Sequence, residues 1–370
     1  MNFGIYVHHP WCVRKCAYCA FNVYTDPSPP FEEWKQYIQR DWFEEQRFVQ
    51  GKPYSLYFGG GTPSLSPVPI IADLISLFSP QDQAEITLEI NPGDIQRSYL
   101  ESLHAAGVNR YSIGIQSFHK RFSRLLNRSH TVEDNHQLLS LLSQCRPKTW
   151  SLDLMFALPE QTLEELIWDI DQALAHEPPH ISIYGLTIEE NTPLERAVHK
   201  GVISPLDDER WEELFGYLME RLACEGYEQY EISNFAREGH RSQHNEHIWK
   251  SGHYVGLGPS AHGFRPNGTR TIQHAQWEHW KQEDHLYVEF PTKKQAFIDT
   301  IITQIRHIDG FSLDLCTEQD MKFNTDLLTQ WEEKKLILIQ NKQISLLPKG
   351  RFFADWITQK ILEDLISIED

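Results

Sequence analysis

Apolar and polar positions along the first two-thirds of the chain follow two periods in turn. Short apolar runs at Phe3–His8, Ser55–Phe58, Glu85–Asn91, Arg110–Gln116, Trp150–Met155 and Ile181–Leu186 read as strands. Stretches spaced at three and four residues separate them, roughly Phe31–Val49, Pro69–Phe78, Gln96–Ala106, Thr131–Leu142 and Leu163–His176. These read as helices, and another, about Asp207–Cys224, follows the sixth strand. Six β–α units in sequence predict an α/β fold, a parallel sheet with helices outside it. Six units rather than eight suggest an open, partial (β/α)6 barrel over residues 1–226.

The period is lost over residues 227–290, which are rich in His, Trp, Gly and Asn and are expected to form an irregular segment closing the barrel. From residue 291 to residue 370 the pattern changes again. Lys294–Arg306 and Cys316–Lys334 look helical, Leu336–Gln340 and Gln343–Leu347 look like short strands, and Arg351–Ile368 looks like a closing amphipathic helix. Helices with a small hairpin predict a winged-helix-like α+β module. It ends in Ile368-Glu369-Asp370 and has no Lys/Arg-rich recognition helix, so a packing or partner role fits better than DNA binding.

Composition narrows the class. Hydrophobic residues make up 40% of the chain, with 11 Trp, 14 Tyr and 19 Phe, enough for a real core. The formal net charge of −18, from 52 acidic and 34 basic residues, repels phosphate backbones and argues against a nucleic-acid binder. No run of about 18 apolar residues suggests a membrane span, although peripheral membrane contact stays open. Cys145, Cys224 and Cys316 are scattered singly, no disulfide framework is visible, and a cytoplasmic location is expected.

The other three cysteines lie together in Cys12-Val13-Arg14-Lys15-Cys16-Ala17-Tyr18-Cys19, a C-x3-C-x2-C spacing. Three thiolates on one short loop can hold three corners of a cubane iron–sulfur cluster and leave one iron open to a small molecule. A zinc knuckle or a disulfide pair stays open as another reading. Structural zinc, however, wants four ligands, usually in two pairs, and no second C-x2-C pair exists. Other polar and Gly-rich signals fall at the ends of the predicted strands: Gly59-Gly60-Gly61-Thr62-Pro63 after the second, then Glu89, Gln116 and Asp153. In barrels and open α/β sheets that edge is where ligands bind.

These residues resemble a known family. Tyr6-Val7-His8-His9-Pro10-Trp11-Cys12 running into the cysteine motif is similar to the radical S-adenosylmethionine (SAM) superfamily. Gly59–Leu65, Gly107–Phe118 and Asp153–Thr162 resemble its oxygen-independent coproporphyrinogen III oxidase-like branch, within it the HemW haem chaperones. Tyr184–Pro193, Tyr230–Ala236 and Val255–Gly263 are similar to the chaperones too. The resemblance implies a [4Fe–4S] cluster on Cys12, Cys16 and Cys19 with SAM chelating the open iron. It implies SAM contacts from Tyr6, Tyr18, Gly60, Gly61, Thr62, Glu89, Gln116, Arg128 and Asp153. Glycines would let backbone amides approach the methionyl group, carboxylates would accept from its ammonium or the ribose, and Arg128 would offer a planar fork to its carboxylate.

Two functions compete inside this resemblance. One is radical oxidative decarboxylation of coproporphyrinogen III to protoporphyrinogen IX; the other is uptake of haem and its transfer to an acceptor protein. Decarboxylases of this type carry a further cysteine two residues after the third and a long segment before the first. Here Cys19 is followed by Ala20 and Phe21, and Cys12 stands near the start. The chaperones carry H-N-x-x-Y-W, matched by His244-Asn245-Glu246-His247-Ile248-Trp249 except at Ile248. The chaperone is the expected function, with His244 as axial haem ligand, His247 and His262 as second choices, and a flavodoxin or ferredoxin as electron donor.

Overall fold

Each of the six apolar runs is a strand in the computed structural model, which describes residues 2–93, 95–145, 147–315, 323 and 325–366. β1 (Gly4–His9), β2 (Ser55–Gly60), β3 (Glu85–Ile90), β4 (Arg110–Gln116), β5 (Thr149–Phe156) and β6 (His180–Gly185) lie side by side in chain order. Every neighbouring pair among them is parallel. The connections carry α1 (Phe31–Glu45), α2 (Val68–Phe78), α3 (Arg97–Ala105), α4 (Lys120–Leu125), α5 (Val132–Cys145) and α6 (Leu163–Leu174). After β6 come α7 (Pro193–His199) and α8 (Asp208–Cys224).

Strand order never reverses, so right-handed crossovers bring the helices to one face of the sheet. On that face Ile5, Val7, Leu56, Leu88, Ile113 and Leu152 pack with Trp34, Leu74, Leu139 and Leu218 in one apolar core. The opposite residues of the same strands, among them Tyr6, Tyr57, Glu89, Ser112 and Asp153, line the inner face, as the two-residue side-chain period of a strand requires. Local chemistry fixes the helix ends. At the start of α6 the Glu165 N–H donates to Thr162 Oγ1 and the Thr162 N–H donates to Glu165 Oε2, at 3.3 and 3.0 Å. The stretch expected as one helix to Val49 leaves α geometry at Glu45 and finishes in a single tighter turn.

Residues 227–290 depart from expectation. Rather than forming an irregular closure, they supply six short strands that widen the sheet at both edges and leave it open. β7 (Glu228–Gln229) and β8 (Asn234–Ala236) extend it beyond β6. α9 (Gln243–Trp249) then leads into β9 (Tyr254–Leu257), which joins β1 in parallel. β10 (His262–Phe264), β11 (Arg270–Gln273) and β12 (Leu286–Glu289) follow as antiparallel neighbours, with α10 (Trp277–Trp280) between the last two. The result is one 12-stranded sheet, order β12-β11-β10-β9-β1-β2-β3-β4-β5-β6-β8-β7. Strands of two to four residues are too short to print a period, and their partners are distant in sequence.

The last part of the chain has its own small core, with Phe297, Ile301, Trp331, Ile337, Ile344 and Ile357 at its centre. α11 (Lys293–Gln304) and the helices Thr325–Glu333 and Ala354–Ile366 pack on β13 (Phe311–Ser312), β14 (Ile337–Gln340) and β15 (Gln343–Leu346). These strands pair antiparallel in the order β13-β15-β14. The front of the helix expected over Cys316–Lys334 and the acidic end Ile368-Glu369-Asp370 lie outside the described residues. No helix among the described residues is long and apolar enough to cross a membrane.

Candidate functional site

The polar residues of the inner face and the loops after β1 to β4 surround a cavity of about 390 Å3 at the C-terminal edge of the sheet. The cysteine loop forms one wall. It leaves β1 at Pro10, whose carbonyl accepts from the Tyr24 N–H, while the Cys12 N–H donates to Tyr24 O, at 2.8 and 2.9 Å. The Ala17 N–H reaches across to Leu126 O at 2.9 Å and ties the loop to the end of α4. Cys12, Cys16 and Cys19 are free thiols, each half-buried, and all three line the cavity.

Hydrogen bonds connect two of the sulfurs, those of Cys12 and Cys16, in a chain around the rim. Thr62 Oγ1 donates to Cys12 Sγ at 3.5 Å and accepts from Asn91 Nδ2 at 3.0 Å. Arg128 Nη2 donates to Asn91 Oδ1 and to Gly114 O at 2.7 and 2.8 Å, and its Nη1 points to Cys16 Sγ at 3.1 Å. Burial pushes the Cys12 thiol up to about 11 and raises that of Cys19 as well, so both stay protonated until a metal displaces the proton. Among the described residues no three His, Cys, Asp or Glu side chains converge tightly enough for a single metal ion. Three thiols spread around one cavity suit a multinuclear cluster better than a lone tetrahedral ion.

The glycine run forms the adjoining wall, for a reason the sequence did not give. Gly60 has a φ of +109°, and a Cβ there would meet the His8 ring at 2.7 Å; one on Gly61 would meet Trp11 O at 2.5 Å. The glycines therefore let β2 close against the start of the cysteine loop. Their N–H groups are already engaged within the protein: Gly60 donates to Glu89 Oε2, Gly61 to His9 O and Thr62 to Trp11 O. The Arg128 fork is likewise taken up by Cys16, Asn91 and Gly114 rather than held open for a carboxylate.

Two half-buried carboxylates form the floor. Glu89 accepts from Tyr57 Oη at 2.9 Å as well as from Gly60, and burial pushes its carboxyl up to about 7. Asp153 accepts from Ser112 Oγ and Ser151 Oγ at 2.7 and 2.8 Å, and burial raises it too. Gln116 ends β4 at a register shift, with a φ of +67°. Its side chain lines the cavity, as do Tyr18, Gly60, Gly61, Thr62, Glu89, Arg128 and Asp153. Tyr6 does not: it lies behind this wall, with its hydroxyl 2.9 Å from His8 Nδ1 and its ring 6.1 Å from that of Tyr57. Sequence reasoning missed Asn91, which links two cysteine partners, and Tyr57. Only the alternation of β2 could have turned Tyr57 inward in advance.

The expected haem ligand is not brought to this cavity. His244 lies 3% exposed at the opposite, N-terminal end of the strands. Its Nδ1 is 2.9 Å from Ser55 Oγ, its ring packs on Tyr57 at 5.2 Å, and burial pushes it down to about 3. Its backbone N–H, with that of Gln243, donates to the Glu85 carboxylate. An enclosed imidazole with these ties cannot meet a haem iron unless α9 moves. His247 is half-buried, its Nε2 2.9 Å from His253 O. His262 is exposed, makes no side-chain hydrogen bond among the described residues, and borders a separate cavity of about 380 Å3 with Ile248, Tyr254, Phe264 and Ile302.

The sequence pattern of the radical SAM superfamily matches residues 6–173. "Heme chaperone HemW" of Escherichia coli (strain K12) is 37% identical over 266 residues, 70% of this chain and 69% of its own. The protein of the same name from Haemophilus influenzae is 39% identical and covers 70% of each chain. Among solved structures, the coproporphyrinogen III oxidase HemN from Escherichia coli, described as a radical SAM enzyme, has a TM-score of 0.80. It covers 97% of this chain and 89% of its own at 21% identity, a likeness of fold.

Proposed function

We propose that this chain, which belongs to the HemW haem-chaperone family within the radical SAM superfamily, holds a SAM-liganded [4Fe–4S] cluster, binds haem and passes it to an acceptor protein. The residues of the cavity fit the cluster and SAM. Cys12, Cys16 and Cys19 would hold three irons, with Thr62 and Arg128 donating to two of the sulfurs and so stabilising them as thiolates. Glu89 and Asp153 would accept from the ammonium or ribose hydroxyls of SAM, and the Gln116 amide would add a neutral contact. When bound, the reduced cluster supplies one electron to the sulfonium. The chain's own part is to hold both groups in this cavity and to keep compensating charge close by.

The observation that carries the chaperone over the decarboxylase is the end of the cysteine loop. Cys19 is followed by Ala20 and then by Phe21, which lines the cavity mouth 57% exposed and edge-on to His8. A decarboxylase of this branch would present a thiol there. For the haem iron we take His262 rather than His244 as the axial imidazole. Its ring is accessible and, among the described residues, unbonded. It lies beside a groove where Ile248, Phe264 and Ile302 stand next to the Arg270–Glu289 and Arg270–Asp299 ion pairs, which suits a neutral nitrogen ligand and an amphipathic porphyrin. A cluster with half-buried thiols would be held in a reducing compartment, consistent with a cytoplasmic site of action.

The test is an anaerobic incubation of the reconstituted chain with SAM, reductant and coproporphyrinogen III, followed by a haem titration. No protoporphyrinogen should form, and haem should give a Soret band that His262→Ala weakens by roughly tenfold in affinity. Conversion of coproporphyrinogen would overturn the chaperone reading. A Soret band lost in His244→Ala but intact in His262→Ala would return the ligand to α9.

A further inference from the structure

The stretch Tyr230–Ala236 lies outside the cysteine cavity, yet its first residue reaches the cavity floor through two buried side chains. Ser151 and Asp153 point the same way from β5, two residues apart, and His180 of β6 is the register partner of Ser151. Ser151 Oγ is 2.8 Å from Asp153 Oδ1 and 2.8 Å from His180 Nδ1. On the far side of the ring, His180 Nε2 is 2.8 Å from Oη of Tyr230, which sits in the turn between β7 and β8. That oxygen also accepts from the N–H of Ser242, the residue that caps α9, at 3.2 Å. Ser151, His180 and Tyr230 are all fully buried.

Counting donors fixes the direction of every bond. The Ser242 N–H only donates, and a carboxylate only accepts. Ser151 has one hydroxyl proton. Given to Asp153, it leaves Ser151 to accept from His180, so Nδ1 carries a proton. Ser182 Oγ, 2.9 Å from Ser151 Oγ, fits the same order as a second donor to it. Burial, with Arg110 and His240 adding to it, holds the imidazole neutral, its pKa well below the ordinary range. A neutral ring protonated on Nδ1 has a bare Nε2, which accepts from the Tyr230 O–H. The opposite order would take the Ser151 proton from Asp153. It would also leave the Tyr230 O–H without an acceptor among the described residues.

We propose that Tyr230 and His180 are positioning residues for SAM: their relay holds Ser151 as a donor to Asp153 and so keeps that carboxylate in place as an acceptor for the ligand's hydroxyl or ammonium groups. The inference rests on the SAM reading of the cavity above. A carboxylate has about four acceptor positions, and Ser112 Oγ and Ser151 Oγ take two of them, which leaves two for a ligand. The charges around Asp153 do not secure it as an acceptor unaided. Burial and the Glu89 carboxylate oppose its negative charge, Tyr57 and Tyr184 face it as neutral phenols, and Arg110 is the cation that favours it. An oriented hydroxyl donor, locked from behind by a backbone N–H that cannot reverse, adds what those charges lack.

The experiment labels the histidines of the anaerobically reconstituted chain with nitrogen-15 and reads the His180 ring by NMR, identified by its absence from His180→Asn. Calorimetry measures SAM affinity alongside. In the parent the ring should be neutral with its proton on Nδ1. Tyr230→Phe should let the Nε2 tautomer appear and weaken SAM binding by about tenfold. His180→Leu should weaken it equally. His180→Asn, whose amide N–H can stand in for Nδ1, should lose less than about threefold. Tyr227→Phe removes another buried hydroxyl, one that donates to Pro178 O outside the relay. It should lower the melting temperature and leave the His180 signal and SAM affinity unchanged. A parent ring protonated on Nε2 would overturn the relay, as would SAM affinity unchanged in Tyr230→Phe and His180→Leu. Equal losses in His180→Leu and His180→Asn, or in Tyr230→Phe and Tyr227→Phe, would overturn it too. Failure of the parent to bind SAM would overturn the reading of the cavity instead, and the ring signal would still decide the relay.

Discussion

Glu89 shows how much of a site depends on one side chain's surroundings. Its carboxyl, ordinarily near 4.5, is pushed to about 7 by burial, with Tyr57 and the Gly60 N–H pulling the other way. Because its pKa is raised on folding, its favourable contribution to stability is fully present below 4.5 and is lost as pH rises through about 7. The cost above that range is on the order of 3 kcal/mol. Glu89→Gln should therefore lose less melting temperature than the parent between pH 6 and pH 8. Equal pH slopes would remove Glu89 as the source. In the site proposed above SAM would bring a cation toward this carboxylate, so its binding should release a proton near neutral pH and strengthen as pH rises, which proton-linked calorimetry in two buffers reads directly. The sequence placed Glu89 correctly at a strand end. Its protonation depends on Tyr57 and Asp153, brought beside it by two other strands, and no local pattern encodes that.

At the scale of elements, the six β–α units were legible because each strand is apolar toward the helices and each helix runs long enough to repeat its apolar stripe. The short elements were not. α4 and α7, six and seven residues long, cannot build a period, although Thr192 before Pro193 with Glu195 three residues on is a helix-start signal that could have been read. α9 depends on a partner far away in sequence. Ser242 caps it, and the Glu85 carboxylate at the head of β3 accepts from the N–H groups of Gln243 and His244, each at 3.1 Å. The same carboxylate lies 3.9 Å from Arg110, a guanidinium only 1% exposed. Glu85→Ala would thus remove a helix anchor and leave a buried cation poorly compensated. Its urea midpoint should fall by the equivalent of about 3–5 kcal/mol at unchanged slope. A loss within experimental error would mean that α9 is held mainly by the packing of His244 on Tyr57.

At the scale of the molecule, the two cores meet along the turns around β7 and β8. The Ile308 N–H donates to Tyr230 O at 2.9 Å, and Arg351 Nη1 donates to Gln229 Oε1 at 2.7 Å. Ile232 packs against the smaller core. Glu246 on α9 gathers charge at this junction: Arg241 at 3.1 Å, Lys250 at 3.0 Å and the buried His307 at 3.4 Å. The His307 bond is the largest of the effects holding its carboxyl down at about 2. Because that pKa is depressed on folding, the stabilisation is present above about 4.5 and is lost as pH falls through about 2. Glu246→Ala should loosen residues 291–366 while the cysteine cavity, at the other end of the strands, keeps its iron. At pH 7 calorimetry should show a lower first transition, and limited proteolysis should cut after residue 290 sooner than in the parent. Toward pH 2 the two proteins should converge. Simultaneous loss of iron in Glu246→Ala would instead show that the two ends of the sheet unfold as one unit, so that the junction secures the cysteine loop as well as the smaller core.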